Sequence, residues 1–273
     1  MKNLILILLF LSVAISLAAQ EKVWLDKNYQ WTDNESQAVR YAIVTKEEKL
    51  TKVEEFSLDG QKKDIWHFEK YASEPRKRIR KGLHTRIYAN GTDSLVEMCN
   101  ENRLEGQRLV YYPDGSMHFA ISFKGGLLNG KFIQYYPDGK LRREEMYLDG
   151  KCTGGKLLAA DGNELEFQPY EVVPTFPGGI NALMQLVSKV VKYPASAVQA
   201  RTEGKVVITF YVDKDGSMAS PEILQSVSPD IDKEGLRAFN AIAQTFKWTP
   251  GYQDGKAVRV RYTLPINFRL PQK

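Results

Sequence analysis

The sequence predicts a mixed protein of two unlike parts: an all-β array of hairpin repeats, then a small domain that combines helices and strands. Three observations carry this. Glycines recur at a fixed step through the middle of the chain, the periodicity changes after Pro169, and apolar and polar residues alternate from Val258 to Leu270. The chain has 273 residues, more than one domain of about 150.

Composition narrows the class. A hydrophobic fraction of 43% with 26% charged residues is that of a globular protein. A net charge of +5 falls short of the dense basic stripe of a nucleic-acid binder, so no nucleic-acid partner is expected. Three His and two Cys argue against a four-ligand zinc site built from those residues alone. Cys-x-x-Cys does not occur, which excludes a thioredoxin-like motif.

Residues 1–19 read as a segment outside the fold. Met1-Lys2-Asn3 gives a positive start, Leu4 to Ala19 is apolar apart from Ser12 and Ser16, and the polar Gln20-Glu21-Lys22 follows. This is the pattern of a secretory signal peptide, and the run is short for a bilayer span of about 20 residues. The other reading is an uncleaved inner-membrane anchor. Either one places the remainder outside the cytoplasm, where a disulfide between Cys99 and Cys152 is chemically permitted.

Residues 20–60 form a lead-in that ends on a degenerate repeat, Ser57-Leu58-Asp59-Gly60. Residues 61–168 carry the clear repeats. Tyr112-Pro113-Asp114-Gly115 returns as Tyr136-Pro137-Asp138-Gly139, 24 residues on, with weaker copies at Tyr88-Ala89-Asn90-Gly91 and Ala160-Asp161-Gly162. A second series, Gly82, Gly106, Gly130 and Gly155, keeps nearly the same step. Each unit reads as strand, turn, strand: the flanks are aromatic and β-branched, Pro fixes φ at the turn's start, and Gly supplies positive φ at its end. Asp-Gly between such flanks signals a hairpin. The array is expected to be one extended antiparallel sheet. Cys99 and Cys152 then lie about four strands, roughly 19 Å, apart, too far for a disulfide.

Residues 169–178, containing Pro174-Thr175-Phe176-Pro177-Gly178, read as a linker, and 179–273 as a separate domain. Ile180, Leu183, Met184, Val187, Val190 and Val191 share one helical face, which ends at Tyr193-Pro194. Pro194 suits the first turn of a short helix through Ala200. A strand over Val206 to Val212 turns at Asp213-Lys214-Asp215-Gly216 into a second strand over 220–227. Pro229-Asp230-Ile231-Asp232 opens a helix with acidic residues where its dipole favours them, and Phe239, Ile242, Ala243 and Phe246 line its apolar side. The last strand has one apolar and one cationic face, and Pro265 makes it an edge or bulged strand.

Several constellations fail. Asp213-x-Asp215-Gly216 lacks the Gly and Glu positions of a calcium loop and reads as a turn. Arg76-Lys77-Arg78-x-Arg80-Lys81 reads as a solvated strand edge. Glu54-Glu55 and Glu144-Glu145 are adjacent in strands and face opposite ways, so neither is an acid/base couple. His67, His84 and His118 read as surface or strand residues rather than ligands. No catalytic residue, metal or cofactor is expected.

Two resemblances follow from the residues quoted. Gly130-x5-Tyr136-Pro137-Asp138-Gly139-Lys140-Leu141 with Tyr147-x2-Gly150-Lys151 resembles the MORN-variant repeat, over about 82–162. Phe176-Pro177-Gly178-Gly179, Tyr193-Pro194, Gly204, Asp215-Gly216, Trp248-x-Pro250-Gly251, Gly255 and Val258 through Leu270 (Phe268 included) resemble the TonB C-terminal domain, in the variant form of exported Bacteroidetes-type proteins. The second resemblance implies two helices on a short antiparallel sheet. It also implies a non-enzymatic periplasmic protein of a Gram-negative bacterium, which binds a strand of an outer-membrane TonB-dependent receptor. A TonB energy transducer further works with an inner-membrane motor complex. Strand addition needs an exposed edge, and 257–264 is the best candidate, with Arg259, Val260, Arg261, Tyr262 and Thr263 as its contact residues. Arg259 and Arg261 either select an acidic partner strand or guard the edge against aggregation. An energising TonB has a His-bearing membrane helix and a Pro/Lys-rich spacer. Residues 1–20 contain no His, and repeats occupy the spacer's place. The alternative is therefore an exported repeat scaffold for protein–protein or envelope contacts without energy transduction.

The signal reading predicts that the protein purified from its native envelope starts near Ala19 or Gln20 by N-terminal sequencing. A chain that keeps Met1 and stays with inner membranes instead establishes the anchor.

Overall fold

The computed structural model describes residues 19–270. The signal or anchor expectation falls, apart from Ala19, outside them. Among the described residues no helix is long and apolar enough to cross a membrane. The chain divides into two compact units at Phe167/Gln168.

The first unit is one antiparallel sheet of 14 strands. Its first half comprises β1 (Gln20–Leu25), β2 (Trp31–Thr32), β3 (Arg40–Lys46), β4 (Thr51–Ser57), β5 (Lys62–Lys70), β6 (Ile79–Arg80) and β7 (Gly82–Ile87). The second half comprises β8 (Asp93–Asn100), β9 (Arg103–Tyr111), β10 (Met117–Lys124), β11 (Leu127–Tyr135), β12 (Leu141–Leu148), β13 (Lys151–Leu158) and β14 (Glu164–Leu165). From β8 to β14 each strand pairs with its sequence neighbours, while β7 pairs with β8 and β5. The lead-in strands β1 to β4 continue the same sheet, so residues 20–60 are part of the array. Cys99 on β8 and Cys152 on β13 are free thiols with four strands between them.

The turns repeat in atomic detail. Tyr112 N–H donates to Ser116 O at 2.8 Å and Gly115 N–H to Tyr112 O at 2.9 Å, closing a three-residue loop on Pro113-Asp114-Gly115. The pattern recurs at Ser57–Gln61, Tyr88–Thr92, Tyr136–Lys140 and Ala159–Asn163. In the repeats, the tyrosine that opens the loop also ties it to the next unit. The hydroxyls of Tyr88, Tyr112 and Tyr136 donate to the carbonyls of Tyr111, Tyr135 and Leu158, each at 2.9 Å. The second glycine series sits inside strands: Gly82, Gly106 and Gly130 all have positive φ, while Gly155 does not and lies against the Glu144 backbone.

One face of this sheet is a ladder of mixed chemistry. Trp66 stacks on His84 with ring centroids 3.3 Å apart. His84 then pairs across to Glu97, Glu97 to Arg108, Arg108 to Ile121, Ile121 to Phe132 and Phe132 to Glu145. His84 is 2% exposed: of the surface or strand positions expected for the histidines, it takes a strand position, and a buried one. Its ring nitrogens meet Asp64 at 2.8 Å and Glu97 at 2.9 Å, and Arg86 and Arg108 close the ends of the run. Burial pulls the imidazolium's pKa down, but hydrogen bonds to the two carboxylates outweigh it and the net direction is up. Burial raises Asp64 and Glu97, while their bonds to His84 and the arginines take both below the usual range. Glu55 and Glu145 are buried while Glu54 and Glu144 bind surface lysines, as alternation requires. The basic run does not lie wholly in solvent. Arg78 is 9% exposed and donates to the carbonyls of Ala72, Tyr29 and Ser73.

The second unit contains β15 (Glu171–Val172), α1 (Gly179–Val190), α2 (Ala195–Gln199), β16 (Gly204–Val212), β17 (Met218–Gln225), α3 (Pro229–Thr245), β18 (Gly251–Gln253), β19 (Lys256–Val258) and β20 (Val260–Phe268). Leu183 and Val187 of α1 and Ile231, Phe239 and Ile242 of α3 share a core with Val206, Ile208, Phe210, Leu264, Ile266 and Phe268 of the sheet. The short α2 follows Pro194, where the sequence places a short helix, beside the two long ones. Two differences from expectation appear. Residues 169–178 are built into the unit: β15 pairs with β18, Thr175 bridges Thr249, and Phe176 is buried. The last strand divides at Arg259, giving two sheets in the orders β15-β18-β19 and β17-β16-β20. The cause is the end of its partner. Val212 pairs with Val260 and then enters the 213–216 turn, so the preceding residues have no ladder there and pair with β18 instead.

That turn also pins the sheet. It has the same closure as the repeats, with Asp213 N–H to Ser217 O at 2.9 Å and Gly216 N–H to Asp213 O at 2.9 Å. Gly216 has φ +80°, and a Cβ there would lie 1.9 Å from Trp248 O. Trp248 in turn donates its N–H to Gly216 O at 2.9 Å.

Two outcomes are expected. Gly115→Ala, with open space at the Cβ, costs about 1 kcal/mol of left-handed strain. Gly216→Ala adds a backbone overlap and costs at least about 2 kcal/mol, read by chemical denaturation. In the first unit, the raised His84 pKa stabilises the fold fully below the unfolded value of about 6.5. That contribution is lost as pH rises through the folded value. The lowered Asp64 and Glu97 contribute above about 4 and are lost on acidification. Melting of the first unit should therefore be highest between about pH 4.5 and 6.5, and His84→Gln should remove the loss on the alkaline side.

Candidate functional site

The sheet β17-β16-β20 has two outer edges, and they differ. β17 pairs with β16 through two register irregularities, carries Pro221, and has Ser220 at φ +52°. β20 pairs with β16 in unbroken register from Val260↔Val212 to Phe268↔Gly204. Among the described residues no strand pairs with its other edge. Each strand carries one proline, Pro221 in β17 and Pro265 in β20, but only β17 has register irregularities, which blunt an edge against further pairing, so β20 is the more regular of the two.

The five expected contact residues lie together but do different things. Val260 and Tyr262 point towards the core side, whereas Arg261 and Thr263 are exposed on the opposite face. Tyr262 rests on Trp248 with ring centroids 4.8 Å apart and donates its hydroxyl to Pro174 O at 3.0 Å. Its phenol pKa is raised by burial. Arg261 Nε donates to the buried Thr209 hydroxyl at 2.8 Å. Arg259 stands in the break between β19 and β20. It pairs with Asp213 at 2.7 Å, bonds Ser220 Oγ at 3.1 Å, and lies 4.0 Å from the Tyr211 ring centre. Both guanidiniums are thus held over the β16–β17 face. Sequence reasoning gave the arginines' face but not these tethers, because Asp213, Ser220 and Thr209 reach them only through the turn and the ladder. A cavity of about 510 Å³ opens beside this end of the strand, lined by Val172, Pro174, Lys214, Tyr252, Val258, Arg259 and Arg261.

The motif residues around the strand are structural. Tyr193 packs edge-on against Phe268 at 5.5 Å and donates its hydroxyl to Thr202 O at 2.6 Å. Pro194 starts α2, and Gly204 admits the Val227 side chain, which a Cβ would meet at 2.7 Å. Asp215 accepts from Ser217 and from Lys247 Nζ, which hold its carboxyl well below the usual range. Pro250 follows the Thr175–Thr249 bridge, and Gly251 fits between Pro174 and Val260. The residues that position the edge are thus drawn from the segment before α1, the 213–216 turn and the 248–251 corner.

Residues 189–270 match the family described as Gram-negative bacterial TonB protein C-terminal, and residues 128–149 match the MORN repeat variant. None of the curated proteins matches the chain. Among solved structures, the C-terminal domain of Helicobacter pylori TonB, determined by solution NMR, is 25% identical. The match covers 36% of this chain and 89% of that one, with a TM-score of 0.28. The TonB C-terminal family is a non-enzymatic protein-interaction family of the Gram-negative envelope. The chain thus carries a segment similar to the TonB C-terminal domain, at 189–270, and a MORN-like repeat, at 128–149.

Proposed function

We propose that the free edge of β20 takes up an extended segment of a partner protein as an added strand. The partner is an outer-membrane TonB-dependent receptor, and the place is the periplasm. The observation that carries this reading is the contrast between the two edges of one sheet: β17 is bulged and β20 is regular. Pro265 limits the length of that edge: a proline opposite Val207 costs no bond to β16 when the odd-numbered N–H groups of β20 point away from it, but leaves the free edge without a donor there, so the segment open to pairing is the one before it. Arg261 and Thr263 then offer backbone donors and acceptors to an incoming strand, while the cavity beside Arg259 accommodates its flanking side chains. The charges nearest that edge are cationic, which favours an acidic segment.

Coupling to an inner-membrane motor is a further step of the same proposal. A second reading, an exported scaffold without energy transduction, is favoured by one observation: a folded sheet precedes the domain where a transducer has an extended spacer.

The test uses the full chain, immobilised, and detergent-solubilised outer-membrane receptors from the same cells. Thr263→Pro removes one outward N–H from the edge and is expected to lower receptor capture at least about tenfold, while Thr263→Val retains it. Capture unaffected by the proline rules out this strand. Absence of receptor capture by the unaltered chain leaves the scaffold reading.

A further inference from the structure

The first unit has a cavity that the strand-addition reading does not use. It encloses about 440 Å³ beside β5, β6 and β7, and four arginines reach it from one stretch of chain: Arg76, Arg78, Arg80 and Arg86. Two carboxylates also face it, and both are already engaged. Glu55 binds Arg40 at 3.3 Å, and Asp64 binds His84 and Arg86. Arg76 is paired with Glu74 at 2.9 Å.

Arg78 and Arg80 are different. Arg78 is almost buried; it donates to backbone carbonyls and lies 4.5 Å from the Tyr71 ring centre, and none of these partners carries a negative charge. Arg80 bonds only the Asn102 side-chain oxygen, and its guanidinium lies 5.5 Å from the Trp66 ring centre. Among the described residues neither forms an ion pair. A buried cation without an ion pair, as Arg78 is, is costly, and the half-buried Arg80 brings a second unpaired guanidinium to the same cavity, an arrangement that an anion would complete. The walls add a second requirement. Trp66, Tyr29 and Phe68 line the same space, and Trp66 is held flat by its stack on His84. A rigid aromatic wall beside guanidiniums favours a ring in the ligand.

We propose that this cavity binds a small anionic ring compound, a sugar or aromatic ring that bears a carboxylate or a phosphate. The charged group sits between Arg78 and Arg80: the two terminal nitrogens of Arg80 offer a bidentate contact, and Arg78, whose Nε and Nη2 already bond backbone carbonyls, adds its remaining Nη1. The ring lies along Trp66 and Tyr29. The volume admits a monosaccharide-sized body and leaves no room for a folded partner.

Calorimetric titration of the full chain tests this at low salt, with glucuronate, glucose 6-phosphate, benzoate, glucose and inorganic phosphate as probes. At least one ring anion is expected to bind with a Kd below about 1 mM, and glucose is expected not to. The preferred anion separates carboxylate from phosphate recognition. Arg80→Gln should weaken that binding at least about tenfold and leave the melting temperature of the first unit essentially unchanged, since Arg80 supports no ion pair. Should Arg80→Gln fail to fold, Trp66→Phe keeps an aromatic wall and should weaken ring anions but not phosphate. No binding by any ring anion overturns the proposal. So does glucose binding as tightly as glucuronate, or phosphate binding as tightly as glucose 6-phosphate.

Discussion

Both units depend on the same local constraint, a three-residue loop whose last member must adopt positive φ. It occurs at Gly60, Gly91, Gly115, Gly139, Gly162 and Gly216. In each loop the Asp or Asn before the glycine accepts the N–H two residues ahead, at 2.9 to 3.2 Å. The side chain thereby holds the loop closed before any sheet exists, and the glycine supplies a conformation that costs other residues about 1–2 kcal/mol. Strand pairing then follows from chain direction alone. The same device yields an extended array in one unit and a pinned sheet in the other, because only Gly216 is pressed against another segment, at Trp248 O.

What the loop does not determine is the register beyond it. Gly82, Gly106 and Gly130 lie within strands at positive φ, and register shifts recur along the pairs from β7 to β13. Each shift moves one residue relative to its partner strand. The buried face is not purely apolar even where alternation is strict: Arg143 and Glu145 lie on it with Tyr147. Their burial is tolerated because charges meet charges: Glu145 receives both Arg143 and the Tyr147 hydroxyl, and His84 lies between two carboxylates. A ladder of this kind specifies which strand lies next to which, since an Arg displaced by one strand would lose its carboxylate and gain an apolar neighbour.

This explains what was legible in the sequence and what was not. Turns, hairpins and the two main helices were readable, because glycine φ, apolar spacing and proline act over a few residues. The Tyr-Pro-Asp-Gly motif even located the tyrosines, although their hydroxyl bonds to the following repeat require the sheet itself. The inward position of Arg78 was hidden within a basic run, because only the fold brings the Tyr29 carbonyl 49 residues away to its guanidinium. The break at Arg259 was hidden for a related reason: the alternation continues through it, and only the length of β16 decides where pairing stops. Local patterns thus read well, whereas every misreading concerned a group whose partner is remote in sequence.

An exposed edge of nine residues is a hazard in itself, and its persistence on β20 calls for a physical account. Charged side chains usually guard such an edge by swinging across it. Here Arg259 is drawn to Asp213 and Ser220, and Arg261 to Thr209, so both charges are held above the face of the sheet. The arrangement leaves the backbone donors and acceptors of the edge uncovered while keeping cations close by. A basic strand would meet those cations unfavourably, whereas an acidic one would gain from them without having to displace them first. Fixing the arginines before contact also spares much of their rotamer entropy, up to about 2 kcal/mol for each long side chain. The edge is therefore guarded against basic partners by charge sign rather than by steric cover, and the groups that guard it are the ones that could select.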